Sequence, residues 1–185
     1  MAAWNRALLV PLGHYSQVSP AQSPVFLAIT WVLWWIVVTG IGSLALPRLT
    51  PSAGARGWIG LFGLTAVAMV TALVVPLGDT GARVLAWLVV AAGVLGFLRA
   101  GLWQRWRLPT LVAVAAVLLA LFASVQPSNY DLGLYHAGSI AYVREGGTVI
   151  GLANLHDRFG FSSSMWPVSA FLGLGLWDGG EFRLF

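Results

Sequence analysis

Residues 26–46 read FLAITWVLWWIVVTGIGSLAL, an apolar run without a single charged side chain. A helix of about 20 apolar residues crosses the hydrocarbon core of a bilayer, which is about 30 Å thick. Pro24 precedes the run and Pro47 follows it, in positions where helices commonly start and stop. The run therefore predicts a transmembrane helix.

Three more apolar runs of similar length follow, at residues 58–77, 84–103 and 108–125. Arg99 lies near the end of the third run, and its long apolar stem can carry the guanidinium to the interface. The predicted fold class is an all-α membrane protein. It has about four transmembrane helices, followed by an extracytoplasmic loop with interfacial amphipathic helices and the start of a further apolar helix.

The composition supports a membrane protein and excludes several other classes. The chain has 185 residues, of which 58% are hydrophobic and 9% charged, whereas a soluble domain is about 25% charged. The net charge of +4 comes from ten scattered arginines, too few for a nucleic-acid footprint, so no nucleic-acid partner is predicted. The absence of cysteine excludes disulfides and thiolate chemistry. The sequence therefore predicts that the outer surface of the protein contacts the lipid bilayer.

The chain divides into four predicted segments. Residues 1–25 form an N-terminal interfacial segment, whose apolar run is too short and too broken for a signal peptide. Residues 26–125 form the four-span region, and residues 126–164 form a loop that we name the signature loop. Residues 165–185 form a partial apolar helix and an ending that reads as truncated, which predicts a fragment.

Arginine counts in the short loops predict the orientation. Cytoplasmic loops carry an excess of arginine and lysine. The loops after the first and third spans are the richer ones, with Arg48, Arg56, Arg105 and Arg107, against Arg6 and Arg83 on the other side. The signature loop is therefore predicted to be extracytoplasmic.

The signature loop and the residues after it hold most of the acidic residues and histidines. Residues 130–164 read YDLGLYHAGSIAYVREGGTVIGLANLHDRFGFSSS. Five of the six acidic residues lie from Asp131 onward, and so do two of the three histidines. Ionisable groups held beside apolar spans commonly mark function, so the loop is the predicted site of chemistry.

A helix is predicted over residues 132–144, ending at Gly146–Gly147. Asp131 would either cap this helix or act as a general base on a sugar hydroxyl. Tyr135 lies four residues after Asp131, on the same helical face, and His136 follows it. Tyr135 and His136 would either anchor the chain at the interface or contact substrate.

The loop then continues into NLHDR at residues 154–158. Arg158 can clamp a phosphate with two hydrogen bonds, and Asn154 and His156 can add further contacts. The alternative interpretation is a solvated loop. The polar groups Asp131, His136, His156 and Asp157 can also ligate metals. No HExxH spacing is present, which disfavours a zinc site made by protein alone and leaves a divalent cation shared with a donor phosphate.

The two motifs YDLGLYH and GLANLHDRFGFSSS resemble the signature of a group of uncharacterised bacterial polytopic membrane proteins. These are similar in turn to the GT-C membrane glycosyltransferases. The resemblance implies a multi-pass protein of the bacterial inner membrane that transfers sugar from a polyprenyl-phosphate donor on the outer face. GT-C enzymes place an essential acid in their first large outer loop, a position that Asp131 matches. They also have more spans than this chain, which again predicts a fragment.

Three hypotheses follow. The first is a GT-C-like glycosyltransferase, or an incomplete piece of one, with Asp131 as the catalytic base and Tyr135, His136, Asn154, His156 and Arg158 binding substrate. The second is a non-enzymatic membrane component, a transporter or flippase part that binds anionic lipid head groups. The third is a truncated chain with little activity of its own.

Overall fold

The computed structural model describes residues 23–46, 52–104, 107–124, 136–148, 150–151, 154, 157 and 163–173. These residues form α-helices and one short 3₁₀ helix and include no strand. The helices are α1 (Pro24–Ala45), α2 (Ala53–Val74), α3 (Thr80–Arg99), the 3₁₀ helix (Leu102–Gln104), α4 (Arg107–Ala123), α5 (Ala137–Gly146) and α6 (Met165–Leu172). The prediction of an all-helical chain is confirmed for this part of the protein.

Helices α1, α2 and α3 have 22, 22 and 20 residues and are apolar enough to cross a membrane. At a rise of about 1.5 Å per residue they are about 30–33 Å long, which matches the hydrocarbon core. Helix α4 has 17 residues and is therefore about 25 Å long. The structure is thus compatible with a membrane protein that has three full-length spans, and the predicted fourth span is a shorter apolar helix.

Helices α2 and α3 begin four to five residues before the apolar runs that predicted them, because a first turn of small residues and one arginine precedes each run. The Ser52 hydroxyl caps α2 by accepting a hydrogen bond of 3.2 Å from the Ala55 N–H. Asp79 is the N-cap of α3. Arg56 and Arg83 consequently lie in first helical turns, and the prediction that they belong to loops was wrong. Both remain at the helix ends to which the orientation argument assigned them.

Helix α1 is the centre of the bundle and packs against α2, α3 and α4. Its contacts with α2 and α3 require glycine. A Cβ atom at Gly40 would overlap the carbonyl of Gly93 in α3, and a Cβ at Gly60 in α2 would overlap the carbonyl of Val38. Backbone packing of this kind drives helix association in lipid, where helices gain little from hydrophobic burial.

Large apolar side chains cover the outer faces of α2, α3 and α4. A water-soluble monomer rarely exposes a continuous apolar surface of this kind, whereas lipid tails are a suitable solvent for it. The most exposed of these side chains are Trp58, Phe62, Val70, Leu73, Val74, Leu88, Leu111 and Phe122.

Helices α5 and α6 pack on each other, and α6 also contacts α2 and α3. The sequence predicts interfacial amphipathic helices in this loop, but α5 packs on the bundle, because Ile140 is buried in the main hydrophobic cluster. The predicted end of α5 at Gly146–Gly147 is confirmed. Its predicted beginning at Asp131 lies outside the described residues.

Helix α6 begins after a run of serines, where the Ser163 hydroxyl accepts a hydrogen bond of 3.3 Å from the Met165 N–H. Five consecutive residues from Val168 to Leu172 are buried, so the second half of α6 is enclosed on all sides. The part of the predicted segment 165–185 that follows residue 173 lies outside the described residues.

Candidate functional site

The end of α5 is attached to the end of α2 by backbone hydrogen bonds, an arrangement that we name the clasp. The N–H groups of Leu77 and Gly78, in the α2–α3 turn, donate to the carbonyls of Val143 (3.3 Å) and Arg144 (2.7 Å) in α5. In return, Thr148 donates to the carbonyl of Ala72 in α2, at 2.7 Å. A helix C-terminus leaves carbonyls without intrahelical partners, and here the two C-termini satisfy each other. The signature loop is therefore held against the bundle at this end.

Gly147 makes the clasp possible. Its φ is +69° and its ψ is −149°, a combination that essentially only glycine adopts. A Cβ atom at this position would lie 2.8 Å from the carbonyl oxygen of Ala72. Both the backbone conformation and the close approach therefore require glycine here.

His136 lies at the beginning of α5 and faces Trp166 in the first turn of α6. The ring centroids are 6.3 Å apart and the ring planes are inclined by 46°. Both side chains are half-buried. The structure thus brings one predicted site residue, His136, beside an aromatic side chain that the sequence interpretation had not assigned to the site.

Ser139 lies three residues after His136, on the same face of α5. It is 2% exposed, and its hydroxyl has no hydrogen-bond partner among the residues that the structure describes. Buried polar side chains are nearly always hydrogen-bonded, so this hydroxyl is an unusual feature of the junction between α5 and α6. A serine within an amphipathic helix gives no sequence signal that separates a packing role from a binding role.

Among the other described polar residues of the loop, Glu145, Asn154 and Asp157 are exposed and Arg144 is half-buried. Asn154 and Asp157 lie in short helical turns, and the Asn154 N–H donates to the carbonyl of Gly151 at 2.9 Å. Arg144 and Glu145 form an ion pair at 3.3 Å near the clasp. An exposed pair of this kind contributes about 0–1 kcal/mol to stability, so the backbone bonds dominate the clasp.

Four predicted site residues lie outside the described residues, namely Asp131, Tyr135, His156 and Arg158. Their convergence with His136 remains a prediction. Among the residues that the structure describes, no three His, Asp or Glu side chains come close enough to hold a metal ion. The cation shared with a donor phosphate stays a prediction, because Asp131 and His156, two of the candidate ligands, lie outside the described residues.

A second polar cluster lies at the opposite end of α2. The Arg56 guanidinium donates to the Ser43 hydroxyl at 3.0 Å, and this hydroxyl donates to the carbonyl of Thr39 at 2.7 Å. Ser43 is buried, so the arginine points into the helix contact. The sequence interpretation placed Arg56 in a loop and missed this cluster; a serine and a threonine four residues apart in an apolar helix were its only signal.

No curated protein and no solved structure matches the chain. One family model does match, the domain of unknown function DUF8201, over residues 25–183. The matched range includes nearly all of α1, all of the other described helices and the whole signature loop. Because the match covers far more than half of the sequence, the chain belongs to the DUF8201 family.

Proposed function

We propose that the chain is a GT-C-like membrane glycosyltransferase, or part of one, that takes sugar from a polyprenyl-phosphate donor at the outer face of the bacterial inner membrane. The observation that carries this proposal is the clasp. It holds the polar signature loop, through α5, at one end of an apolar bundle. A lipid-linked donor presents its sugar at that boundary, with its tail in the hydrocarbon core.

The proposed topology has four spans. Helix α4 would form the fourth and tolerate its shortness by local thinning of the bilayer. The clasp puts α5 at the same end of the bundle as the α2–α3 turn. Arg56 is at the other end of α2, the end that the arginine counts assign to the cytoplasm. The signature loop is then extracytoplasmic.

In this proposal Asp131 is the catalytic base. Its carboxylate takes the proton of an acceptor hydroxyl, whose oxygen forms a bond to the anomeric carbon of the donor sugar. The bond from that carbon to the phosphate oxygen breaks, and polyprenyl phosphate leaves with the electron pair. His156 and Arg158 would hold the phosphate, which could also bind a divalent cation. Tyr135, His136 and Asn154 would contact the sugar.

The test is the variant Asp131→Asn in proteoliposomes that contain the full chain, a polyprenyl-phosphate hexose and a membrane extract as the source of acceptor. Loss of a general base lowers the rate about 10²–10⁴-fold. The measured quantity is the release of polyprenyl phosphate from the donor. Asp79→Asn is the matched control, because Asp79 is an exposed carboxylate at the same end of the bundle.

Equal donor turnover in Asp131→Asn and wild type would contradict the proposed base. Binding of the donor without turnover in the wild type would favour the second hypothesis, a non-enzymatic component that binds anionic lipid head groups.

A further inference from the structure

The outer faces of α2, α3 and α4 expose large apolar side chains over a limited height, and we name this surface the apolar belt. It runs from Trp58 to Val74 in α2, from Val84 to Leu98 in α3 and from Leu111 to Phe122 in α4. The height of such a belt determines which bilayer thickness a membrane protein fits, because a mismatch with the lipid tails costs free energy.

Helix α3 carries a charged residue at each end of the belt. Arg83 lies in its first turn and Arg99 is its last residue, and both are exposed. Every residue between them is uncharged. At a rise of about 1.5 Å per residue, the two arginines are about 24 Å apart along the helix. A charged group is unfavourable in hydrocarbon, so the belt on α3 ends at these two residues.

The other two helices give the same height independently. The exposed apolar residues of α2 extend from Trp58 to Val74, over about 24 Å. Trp58 is 63% exposed, and tryptophan is enriched at the level of the lipid head groups, so it marks one edge of the belt. Beyond Val74, the backbone groups of Leu77 and Gly78 form the clasp. Helix α4 is about 25 Å long over its whole length.

The apolar belt is therefore about 5 Å lower than a typical hydrocarbon core of about 30 Å. Any tilt of the helices from the membrane normal lowers it further. The long stems of Arg83 and Arg99 can relieve the mismatch on α3 by carrying the guanidinium groups outward. Arginine cannot do so on α2, because Arg56 donates to Ser43 in the contact with α1. Nor does it change the length of α4.

We propose that the bundle fits a hydrocarbon core of about 25 Å and that phospholipids with short acyl chains are its preferred lipid partners. Lipids with longer chains would have to compress or tilt their tails beside α2, α3 and α4. The inference concerns the lipids around the bundle, and it is independent of the chemistry proposed for the signature loop.

The first experiment follows thermal unfolding of the full chain in vesicles of phosphatidylcholines with progressively longer acyl chains. Their hydrocarbon cores range from about 20 to about 35 Å. We expect the midpoint of unfolding to be highest at a core of about 25 Å and to be about 3–6 °C lower at about 30 Å.

Arg83→Leu lengthens the belt on α3 by removing the charge at one end. Its loss of stability between the two thicknesses should shrink to about half of the wild-type loss, because one of the three helices then matches the thicker core. Arg83→Lys is the matched control, since lysine keeps the charge at this position, and it should behave like the wild type. Arg99→Leu is the corresponding variant at the other end of α3.

Trp58 and Trp87 provide a second readout that requires no variant. They are 63% and 47% exposed on the lipid-facing surface, so bromine atoms on acyl chains that contact them quench their fluorescence. The vesicles contain equal amounts of a short-chain and a long-chain phosphatidylcholine, and only one of the two carries bromine in each preparation. We expect the short-chain lipid to quench about twice as strongly, because it is enriched around the bundle.

A wild-type midpoint that is highest at about 30 Å or above overturns this inference and shows that the arginine stems accommodate an ordinary bilayer. Equal quenching by the two lipids overturns the preference for short acyl chains. Arg83→Lys that behaves like Arg83→Leu also contradicts the inference, because the effect would then not depend on the height of the belt. Each of these results leaves the proposed function standing.

Discussion

At the scale of single residues, the position of the signature loop depends on Gly147. A backbone with φ of +69° and ψ of −149° is open to glycine and strained for other residues. The conformation directs the Thr148 N–H to the carbonyl of Ala72. One residue without a side chain thus allows α5 and α2 to satisfy each other's terminal carbonyls.

We predict that Gly147→Ala destabilises the protein by more than Gly151→Ala does. Both glycines have positive φ, so each substitution introduces strain of about 1–3 kcal/mol. Only the methyl group at Gly147 would meet a backbone carbonyl at 2.8 Å, whereas at Gly151 it would meet the Asn154 side-chain amide at 3.3 Å. The midpoints of thermal unfolding in detergent measure the difference, and equal losses would contradict the clasp.

The sequence predicted which polar residues of the loop belong to the site, but not which residues lie beside them in the fold. His136 was predicted as a site residue from its place in a charged segment. Trp166 was missed, because a tryptophan in an apolar helix is compatible with simple packing. Its proximity to His136 depends on how α5 and α6 meet, which no local pattern encodes.

At the scale of helices, α1 determines how the bundle is packed. Hydropathy predicted its existence and its length. It did not predict that glycines on two sides of α1 bring it into backbone contact with both α2 and α3. A helical form suits these apolar segments, because a segment in lipid must satisfy its backbone groups internally.

We predict that Gly60→Ala is destabilising and Gly63→Ala is not. Both glycines lie within α2, where alanine has the higher helix propensity by about 1 kcal/mol. At Gly60 the new methyl would overlap the carbonyl of Val38, and overpacking of this kind costs about 1–3 kcal/mol. At Gly63 it would make an ordinary contact of 3.8 Å with Ile41. Thermal unfolding in detergent would show a lower midpoint for Gly60→Ala alone; a similar shift for both variants would contradict the packing of α1 on α2.

At the scale of the whole molecule, the structure separates two ends. The clasp and the α2–α3 turn lie at one end, and the Arg56–Ser43 cluster lies at the other, one helix length away. The chain contains no cysteine, so a single introduced thiol is the only target for a thiol reagent. Topology can therefore be tested without removing native residues.

We predict that Gly81→Cys and Ile150→Cys label from the same side of the membrane and Gly54→Cys labels from the opposite side. Gly81 has open space around it, and Ile150 is 97% exposed. A membrane-impermeant maleimide should modify the first two in intact cells and the third only after permeabilisation. Labelling of Gly81→Cys and Ile150→Cys from opposite sides would contradict the clasp. Labelling of Gly54→Cys in intact cells would contradict the proposed orientation.

The sequence alone determined that the chain is helical, that its long helices suit a membrane, and that its ionisable groups gather after residue 130. These properties depend on the composition of continuous segments, which can be interpreted without knowing the fold. Only the tertiary structure decided that α1 is central, that α5 packs on the bundle, and that His136 meets Trp166. Such contacts join residues far apart in the chain, and they arise from close backbone packing and from the pairing of terminal carbonyls rather than from hydropathy.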